Sequence, residues 1–476
     1  MGPLEIAFRK PFTLAFALLI ASANVARANV GETYGFGSQS SALAGATAAW
    51  GYGGFATYSN PAMVVRTGEK RLLISYSLLS MFPKFLPIES VVTEAPYVSG
   101  AQAPVTTSVD NQYRTTWAQT LALSYRFLPN FYKMTFGFQV TLPVDSVAYL
   151  DTGETFVPEY VLYRSRTQRP QALAALSADL GKGLSAGLGA HLGFSLTSRG
   201  TIYLKNTSPQ SSTMRFTSSL VPRLAPYFGI GWTNSPENPR DLAAGSASLG
   251  LVVRFPVTSP NTMALRSGVQ IVSSDLTFNF TARSALFYDP LIVELGGSIQ
   301  IIPLVRVFAQ VDFQGWNAFS QPALKIEDAI FTDNCPTGTI CGLDFQGTKL
   351  PTFSTRNILL PKAGVELTPS DKLSIRFGAA YRPSIFSALP TEAGNYLDPD
   401  KIMLNAGTGI RFKSFLGFDT PCDVDFHIAY HHLIPRTVQK TAGDEAGNVA
   451  SAKIGAPRYV MGGAIFGGGL SVNLAF

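Results

Sequence analysis

The stretch Val305–Trp316, "VRVFAQVDFQGW", sets two kinds of side chain on opposite faces. Val305, Val307, Ala309, Val311 and Phe313 share one; Arg306, Gln310, Asp312 and Gln314 share the other. Successive side chains of a strand point to opposite sides, so this period of two makes a strand with one apolar and one polar face. The same holds for "LSIRFGAAYR" (Leu373–Arg382), "CDVDFHIAYH" (Cys422–His431) and "SASLGLVVRF" (Ser246–Phe255).

Two architectures suit such strands. A sandwich buries the apolar faces against each other, whereas a transmembrane barrel turns them to lipid and keeps the polar faces inside. The segments run about ten residues, which is what a tilted strand needs to cross a bilayer. Aromatic side chains recur near their ends, as at Tyr125, Phe127, Phe255 and Tyr381. Charged residues make up only 14% of the chain, against roughly 25% for soluble domains. After the first residues no apolar run approaches the ~18 needed for a helical span. The expected fold is therefore all-β: a transmembrane antiparallel β-barrel of about fourteen strands.

The count of fourteen rests on a choice among fifteen segments, because a barrel with both termini on one side needs an even number. Reading "PYFGIGW" (Pro226–Trp232) as loop leaves fourteen, among them segments at roughly 244–255 and 262–272. The connections then alternate short and long. "LPN", "GKG", "PVTSP", "IP", "TPSD" and "SFLGFDTP" are short turns, while 81–115, 198–243 and 317–355 are long loops, the outer-membrane pattern. The final strand, "LSVNLAF", ends on Phe476 and resembles the C-terminal signal of bacterial outer-membrane proteins. It predicts the outer-membrane insertion machinery as a partner. Lipid and lipopolysaccharide of a Gram-negative outer membrane are the expected surroundings.

The N-terminus predicts export. Arg9 and Lys10 precede the apolar run Phe12–Ala21, and Ala26-Arg27-Ala28 offers a cleavage site, so residues 1–28 read as a signal peptide. Cys335 and Cys341, six apart in "DNCPTGTICGLD", are a candidate loop disulfide in an exported protein. No His or second Cys pair lies near them, so no metal site is expected, and Cys422 reads as a strand residue. The net charge of +6 is unclustered and predicts no nucleic-acid partner.

Catalytic motifs are weak. Gly183–Gly187 matches G-x-S-x-G, but it opens an alternating strand after a tight turn rather than a helix after a strand. His427 and His431 share a strand face roughly 13 Å apart, too far to chelate one ion from that strand, since ligand atoms sit about 2 Å from a metal. They read as lumen wall, with His432 at the interface. No enzyme and no cofactor is expected. Arg254, Arg306, Arg376 and Arg199 project inward by alternation, with Asp312, Asp423 and Asp425 as partners. They either brace the wall or meet the carboxylate of an amphipathic ligand.

A bore of fourteen strands is too wide for side chains to fill. The segment Gly35–Ala62, "GFGSQSSALAGATAAWGYGGFATYSNPA", is the candidate plug: its Ala and Ser suit short helices packed within a wall, and its glycines allow sharp turns. This segment resembles the N-terminal hatch of the FadL-type outer-membrane transporters for long-chain fatty acids and other hydrophobic compounds. The resemblance lies in Gly35-Phe36, in "SA" followed by Gly45 of "GATAA", and in the closing Asn60-Pro61-Ala62. It continues through "NTMALRSGVQI", "VFAQVDFQGWNAF", "KLSIRFGAAYRPS", "LDPDKIMLNAGTGIRF" and the terminal "NLAF".

The resemblance implies a hatch of short helices over residues 29–66, gated through Gly35, Phe36, Gly45, Asn60, Pro61 and Ala62, inside a barrel over 67–476. It also implies passive uptake of a hydrophobic ligand, long-chain fatty acid or aromatic hydrocarbon. Release would be sideways, at a kink in the third strand near Tyr132–Pro143. Arg199, Arg306 and Arg376 are the candidate ligand-binding cations. "GYGGF" departs from the family's acidic and polar residues before Asn-Pro-Ala, which leaves hydrophobic molecules in general as the ligand class. An outer-membrane lipid-modifying enzyme and a water-filled porin remain the alternatives.

Overall fold

The computed structural model describes residues 30–51, 53–67, 71–94, 105–109, 113–128, 133–144, 159–163, 170–205, 213–235, 242–271, 274–319, 325–333, 354–388, 396–414, 420–439 and 458–476. The expected signal peptide (residues 1–28) and the candidate disulfide Cys335–Cys341 lie outside the described residues. Fourteen strands close into a ring: β1 (Leu72–Phe85), β2 (Thr116–Leu128), β3 (Met134–Pro143), β4 (Gln171–Gly181), β5 (Leu184–Lys205), β6 (Thr213–Thr233), β7 (Ala247–Arg254), β8 (Leu291–Ile302), β9 (Val305–Gly315), β10 (Ile358–Ser370), β11 (Leu373–Arg382), β12 (Lys401–Phe412), β13 (Cys422–Gln439) and β14 (Arg458–Ala475). Each pairs antiparallel with the next, and β1 closes on β14 from Leu73 opposite Ala475 to Phe85 opposite Gly463. Closure leaves no sheet edge, so every wall strand has two neighbours to satisfy its backbone. Among the described residues no helix is long and apolar enough to cross a membrane.

The alternation read from the sequence is the inside–outside pattern of the wall. On β13, Asp425, His427 and His431 are buried while Phe426, Ile428 and Tyr430 are exposed; on β9, Arg306, Gln310, Asp312 and Gln314 are all buried. The outer surface is apolar. Leu224 is 72% exposed, Ile428 68% and Leu188 63%, values that suit a lipid-facing wall and no soluble core.

The count of fourteen holds, but its membership differs from the expectation. Pro226–Trp232 is not loop: it belongs to β6, which pairs with β5 from Thr213 opposite Tyr203 to Trp232 opposite Leu184, and with β7 along Tyr227–Thr233. The segment at 262–272 is not in the ring. Val257–Ile271 forms a hairpin with Ser274–Asp289, runs parallel to the outer part of β5, and leaves β7 to pair directly with β8. "PVTSP" is therefore no turn between wall strands, β7 runs in the opposite sense to that expected, and the end of β6 is tied to the start of β7 by Asn234, which bonds Gly245 and Ala247 (2.8 Å each). Pro222, Pro226, Gly229 and Gly231 give β6 the composition of a loop, although the tertiary ladder holds it as strand.

The N-terminal segment forms three short helices, α1 (Val30–Tyr34), α2 (Ser38–Ala42) and α3 (Ala56–Ser59), and a 3₁₀ turn at Pro61–Arg66. Gly35 and Gly45, with φ of 90° and 77°, make the bends that end the first two pieces, a backbone region that L side chains avoid. Helices of four or five residues have no stability of their own. Their order comes from the wall around them.

Candidate ligand passage and its plug

The N-terminal segment is bonded to wall residues from eleven of the fourteen strands, Arg66 reaching the Leu184 carbonyl of β5 (3.2 Å) among them. Ser38 donates its backbone N–H to Ser471 Oγ (3.1 Å) and its hydroxyl lies 3.0 Å from His427 Nδ1. Asn405 Nδ2 donates to the Ser41 carbonyl (2.6 Å), Gln310 Oε1 accepts from Ala48 N (2.8 Å), and Ser75 Oγ accepts from Gly54 N (2.9 Å). The Tyr227 hydroxyl donates to the Thr57 carbonyl (2.7 Å) and Arg254 to that of Tyr58. Further along, Ser177 Oγ donates to the Ala62 carbonyl (3.0 Å), Arg126 donates to that of Val65 (2.9 Å), and Arg66 pairs with Asp179 at 2.9 Å. Lys362 reaches the Gly45 carbonyl (3.5 Å) while pairing with Asp312 (2.6 Å). The barrel's polar inner face thus supplies the hydrogen bonds that such short helices lack.

Asn60-Pro61-Ala62 is the junction of this system. Asn60 is fully buried; its Nδ2 donates to the carbonyls of Ala48 (2.7 Å) and Ile230 (3.3 Å), and its Oδ1 accepts from Ala62 N (2.9 Å). One side chain ties two parts of the segment to β6 and caps the 3₁₀ turn, whose first position Pro61 occupies with its fixed φ. Phe36 meets Tyr58 edge-on at 4.6 Å, joining α1 to α3.

The sequence reading missed a set of inward-facing glycines in the wall. A Cβ on Gly187 would lie 2.3 Å from the Pro61 carbonyl carbon, on Gly250 2.0 Å from the Ala48 carbonyl oxygen, and on Gly378 2.3 Å from the Leu43 carbonyl carbon. Gly229 and Gly407 leave room instead for side-chain atoms, a Cβ there lying 2.1 Å from Asn60 Oδ1 and 2.6 Å from Ala42 Cβ. Their signal was available: each takes a polar-face position in an alternating strand. At Gly187, Gly250 and Gly378 the wall meets the backbone of the segment directly.

Toward the loop end, above this contact layer, lies a packed apolar cluster. Phe85, Tyr113, Tyr160 and Tyr163 cluster with Tyr34, Phe36, Tyr288, Trp316 and Phe386. Tyr160 stacks on Phe85 at 4.0 Å, and its hydroxyl both accepts from Gly462 N and donates to the Gly462 carbonyl (3.1 Å each). Gly462 sits where the β13–β14 register shifts, between Leu433 and Arg436, so one phenol satisfies the backbone groups that this bulge releases from the ladder. Burial pushes the Tyr160 phenol up from its ordinary value. The ion pair Arg382–Asp398 (2.9 Å) is buried beside the same cluster.

The expected cations separate. Arg306 stacks over Trp50 at 4.0 Å and donates to Gln300 Oε1 (2.8 Å); Arg376 pairs with Glu366 and with Asp425 (2.6 Å). Both line a polar cavity of about 290 Å³ at the turn end, with Gln39 and Trp50 between them. Arg199 does not join them and does not face an enclosed lumen: it is exposed, where β5 runs on past the ring to pair with the outer hairpin. Ser185 is buried on β5 with its hydroxyl toward the Gly231 carbonyl (3.4 Å), and Gly183 before it is a turn glycine at φ 80°. That is no nucleophile elbow. The third strand shows no kink: β3 keeps unbroken register with β2 from Thr135 to Pro143 and with β4 from Thr135 to Thr141.

The wall is thus a closed fourteen-stranded β-barrel enclosing its own N-terminal segment. The solved structures that share the fold include a Pseudomonas aeruginosa FadL homologue, with 14% identity over 92% of this chain and 98% of that one, at a TM-score of 0.55. The P. putida toluene transporter TodX matches with 13% identity over 93% of this chain and 99% of its own, at 0.50. The CymD monoaromatic hydrocarbon channel matches with 12% identity over 94% and 99%, at 0.51. The chain has the FadL-type fold. No family model and no curated protein matches its sequence.

Proposed function

We propose that this protein is an outer-membrane channel for passive uptake of hydrophobic small molecules, long-chain fatty acids or aromatic hydrocarbons, with residues 29–66 as its hatch. The observation that carries the reading is the pairing of a buried aromatic cluster at the loop end with a bore filled to contact by the N-terminal segment. A water-filled porin needs an open bore; here solute must displace or loosen the hatch. Apolar ligand gains by leaving water for aromatic side chains that part to receive it, at about 25 cal/mol per Å² buried, and moves down its gradient without an energy source.

In this reading the described state is the closed one. Sideways release through the wall requires the intact β3 ladder to open, and Asn60-Pro61-Ala62 with Gly35, Phe36 and Gly45 form the moving joint. Arg306 and Arg376, tied to wall partners, hold the turn end closed rather than offer a bare charge to a carboxylate. The fold neighbours are channels named for hydrocarbons, which supports transport over lipid chemistry. Uptake of labelled long-chain fatty acid and of toluene by cells with and without the protein tests the reading. Faster uptake of at least one with the protein is expected; equal rates for both solutes in both strains would refute it.

A further inference from the structure

The lipid-facing side of β9 to β14 is not smooth. Ala363 on β10, Ala379 on β11 and Ala406 on β12 are the floor of an apolar groove of about 700 Å³. Phe377, Leu404, Ile428, Tyr430 and Phe466 stand around it, all exposed. The register makes the floor continuous. Ala363 lies opposite Ala379, Ala379 opposite Leu404, and Ala406 opposite both Phe377 and Ile428. Small outward residues between large ones leave a furrow, and its walls forfeit dispersion contacts unless hydrocarbon fills it.

The loop-side rim of this groove is aromatic, and donors stand above it. Tyr430, Phe466 and Phe82 occupy one row across β13, β14 and β1, with Tyr430 and Phe466 5.2 Å apart. Two residues further toward the loop end, the next outward row is His432, Ala464 and Lys84. Ala464 is the gap in that row. Strands about 4.8 Å apart put His432 and Lys84 about 10 Å from each other, within a lysine arm's reach of one shared group. His432 is stacked on Tyr430 (6.4 Å), and Lys84 is exposed. Neither has an ion-pair partner among the described residues. The nearby Asp400 is engaged by the Tyr381 hydroxyl (2.8 Å) and the Ser384 N–H (2.7 Å). Exposed Arg436 and Arg458 continue the same two strands above.

We infer that this face is a docking site for lipopolysaccharide, with an acyl chain in the alanine-floored groove and a lipid A phosphate between Lys84 and His432. The inference rests on the outer-membrane placement proposed above and gives that wall a specific lipid partner. Long loops mark this end as the outer-leaflet side, where the phosphate-bearing lipid is lipopolysaccharide. An ammonium and an imidazole over an aromatic row suit a phosphate at the interface. A second copy of the chain suits the groove poorly. A two-fold interface sets one patch against itself, and two facing furrows would enclose a void.

The test uses the whole protein, purified in mild detergent and stripped of lipid. Its three probes are lipid A with both phosphates, the same lipid A dephosphorylated, and phosphatidylglycerol, with bound lipid counted by native mass spectrometry. Wild type should take phosphorylated lipid A about tenfold more tightly than either of the others. K84Q/H432Q should weaken that binding about tenfold and leave the dephosphorylated form unchanged. Ala379→Leu, which raises the floor, should weaken both forms of lipid A. Heat-modifiable migration on gels reports assembly; if Ala379→Leu fails there, Ala363→Leu takes its place with the same loss expected. Variants that bind like wild type would overturn the inference, as would equal affinity for phosphorylated and dephosphorylated lipid A, equal affinity for phosphatidylglycerol, or a dimer that excludes lipid A. Such results leave the channel reading standing, because no step of this assay measures flux. Failure of the uptake test with lipid A binding intact would sink the channel reading and leave this site.

Discussion

Replacing Gly187 with alanine puts a methyl group 2.3 Å from the Pro61 carbonyl carbon and 2.5 Å from the Ala62 nitrogen. Both neighbours are backbone, so neither can swing aside as a side-chain tip would. Overpacking of this kind costs about 1–3 kcal/mol, while alanine's smaller loss of backbone freedom on folding favours open and closed barrels alike. The cost falls on the closed state alone, because only there does Pro61 lie against β5. The ratio of open to closed barrels should therefore rise about 5- to 150-fold. Leak of a small polar solute from proteoliposomes measures that ratio directly. Gly187→Ala and Gly378→Ala should both leak more than wild type. Gly297→Ala, whose Cβ meets only a side-chain end of Leu249 at 3.3 Å, should not. Wild-type impermeability in all three would refute the idea that backbone contact with wall glycines keeps the bore shut.

Asn60→Ala removes three hydrogen bonds from a fully buried position and should cost the closed state about 2–3 kcal/mol, seen as faster proteolysis of the N-terminal segment in folded barrels. Arg376→Met strands Glu366 and Asp425 in a buried site. It should lower the temperature at which the barrel loses heat-modifiable migration by an amount corresponding to about 3–5 kcal/mol, with E366Q/R376M milder than R376M alone. Tyr160→Phe deletes both bonds to Gly462 and should loosen residues 159–163 by about 1–2 kcal/mol, read as faster amide exchange there. Desolvation raises the Tyr160 phenol above its ordinary 10. Its contribution is therefore complete below pH 10 and is lost as the pH climbs beyond, and Tyr160→Phe should remove that part of the alkaline destabilisation.

Much of the wall was legible because lipid outside and polar lining inside impose a strict period of two. Val305–Gly315, Leu373–Arg382 and Cys422–His431 obey it residue by residue. Periodicity names a strand but not its neighbour, which is how Val257–Ile271, equally alternating, passes for a member of the ring while it lies in a hairpin beside it. The opposite failure is β6, where two prolines and two glycines imitate a loop and only the long ladder with β5 reveals a strand. That the N-terminal segment packs inside the wall was legible from its small residues and from the bore that needs filling. The sockets that receive it were not, because a glycine in a strand looks like a weakness until its partner surface is known. Arg306 and Arg376 were correctly placed inward by alternation, but their carboxylate, amide and indole partners come from other strands and from Trp50, which spacing along the chain does not reveal.

The eleven-strand web that ties down the N-terminal segment also joins the two ends of the sheet. Partners on β1 and β2 and partners on β12, β13 and β14 lie on either side of the line where β1 meets β14. All of those bonds can be made at once only when that line is closed. The segment is therefore a clasp as well as a filling: whatever loosens it also weakens the hold across the join of the cylinder.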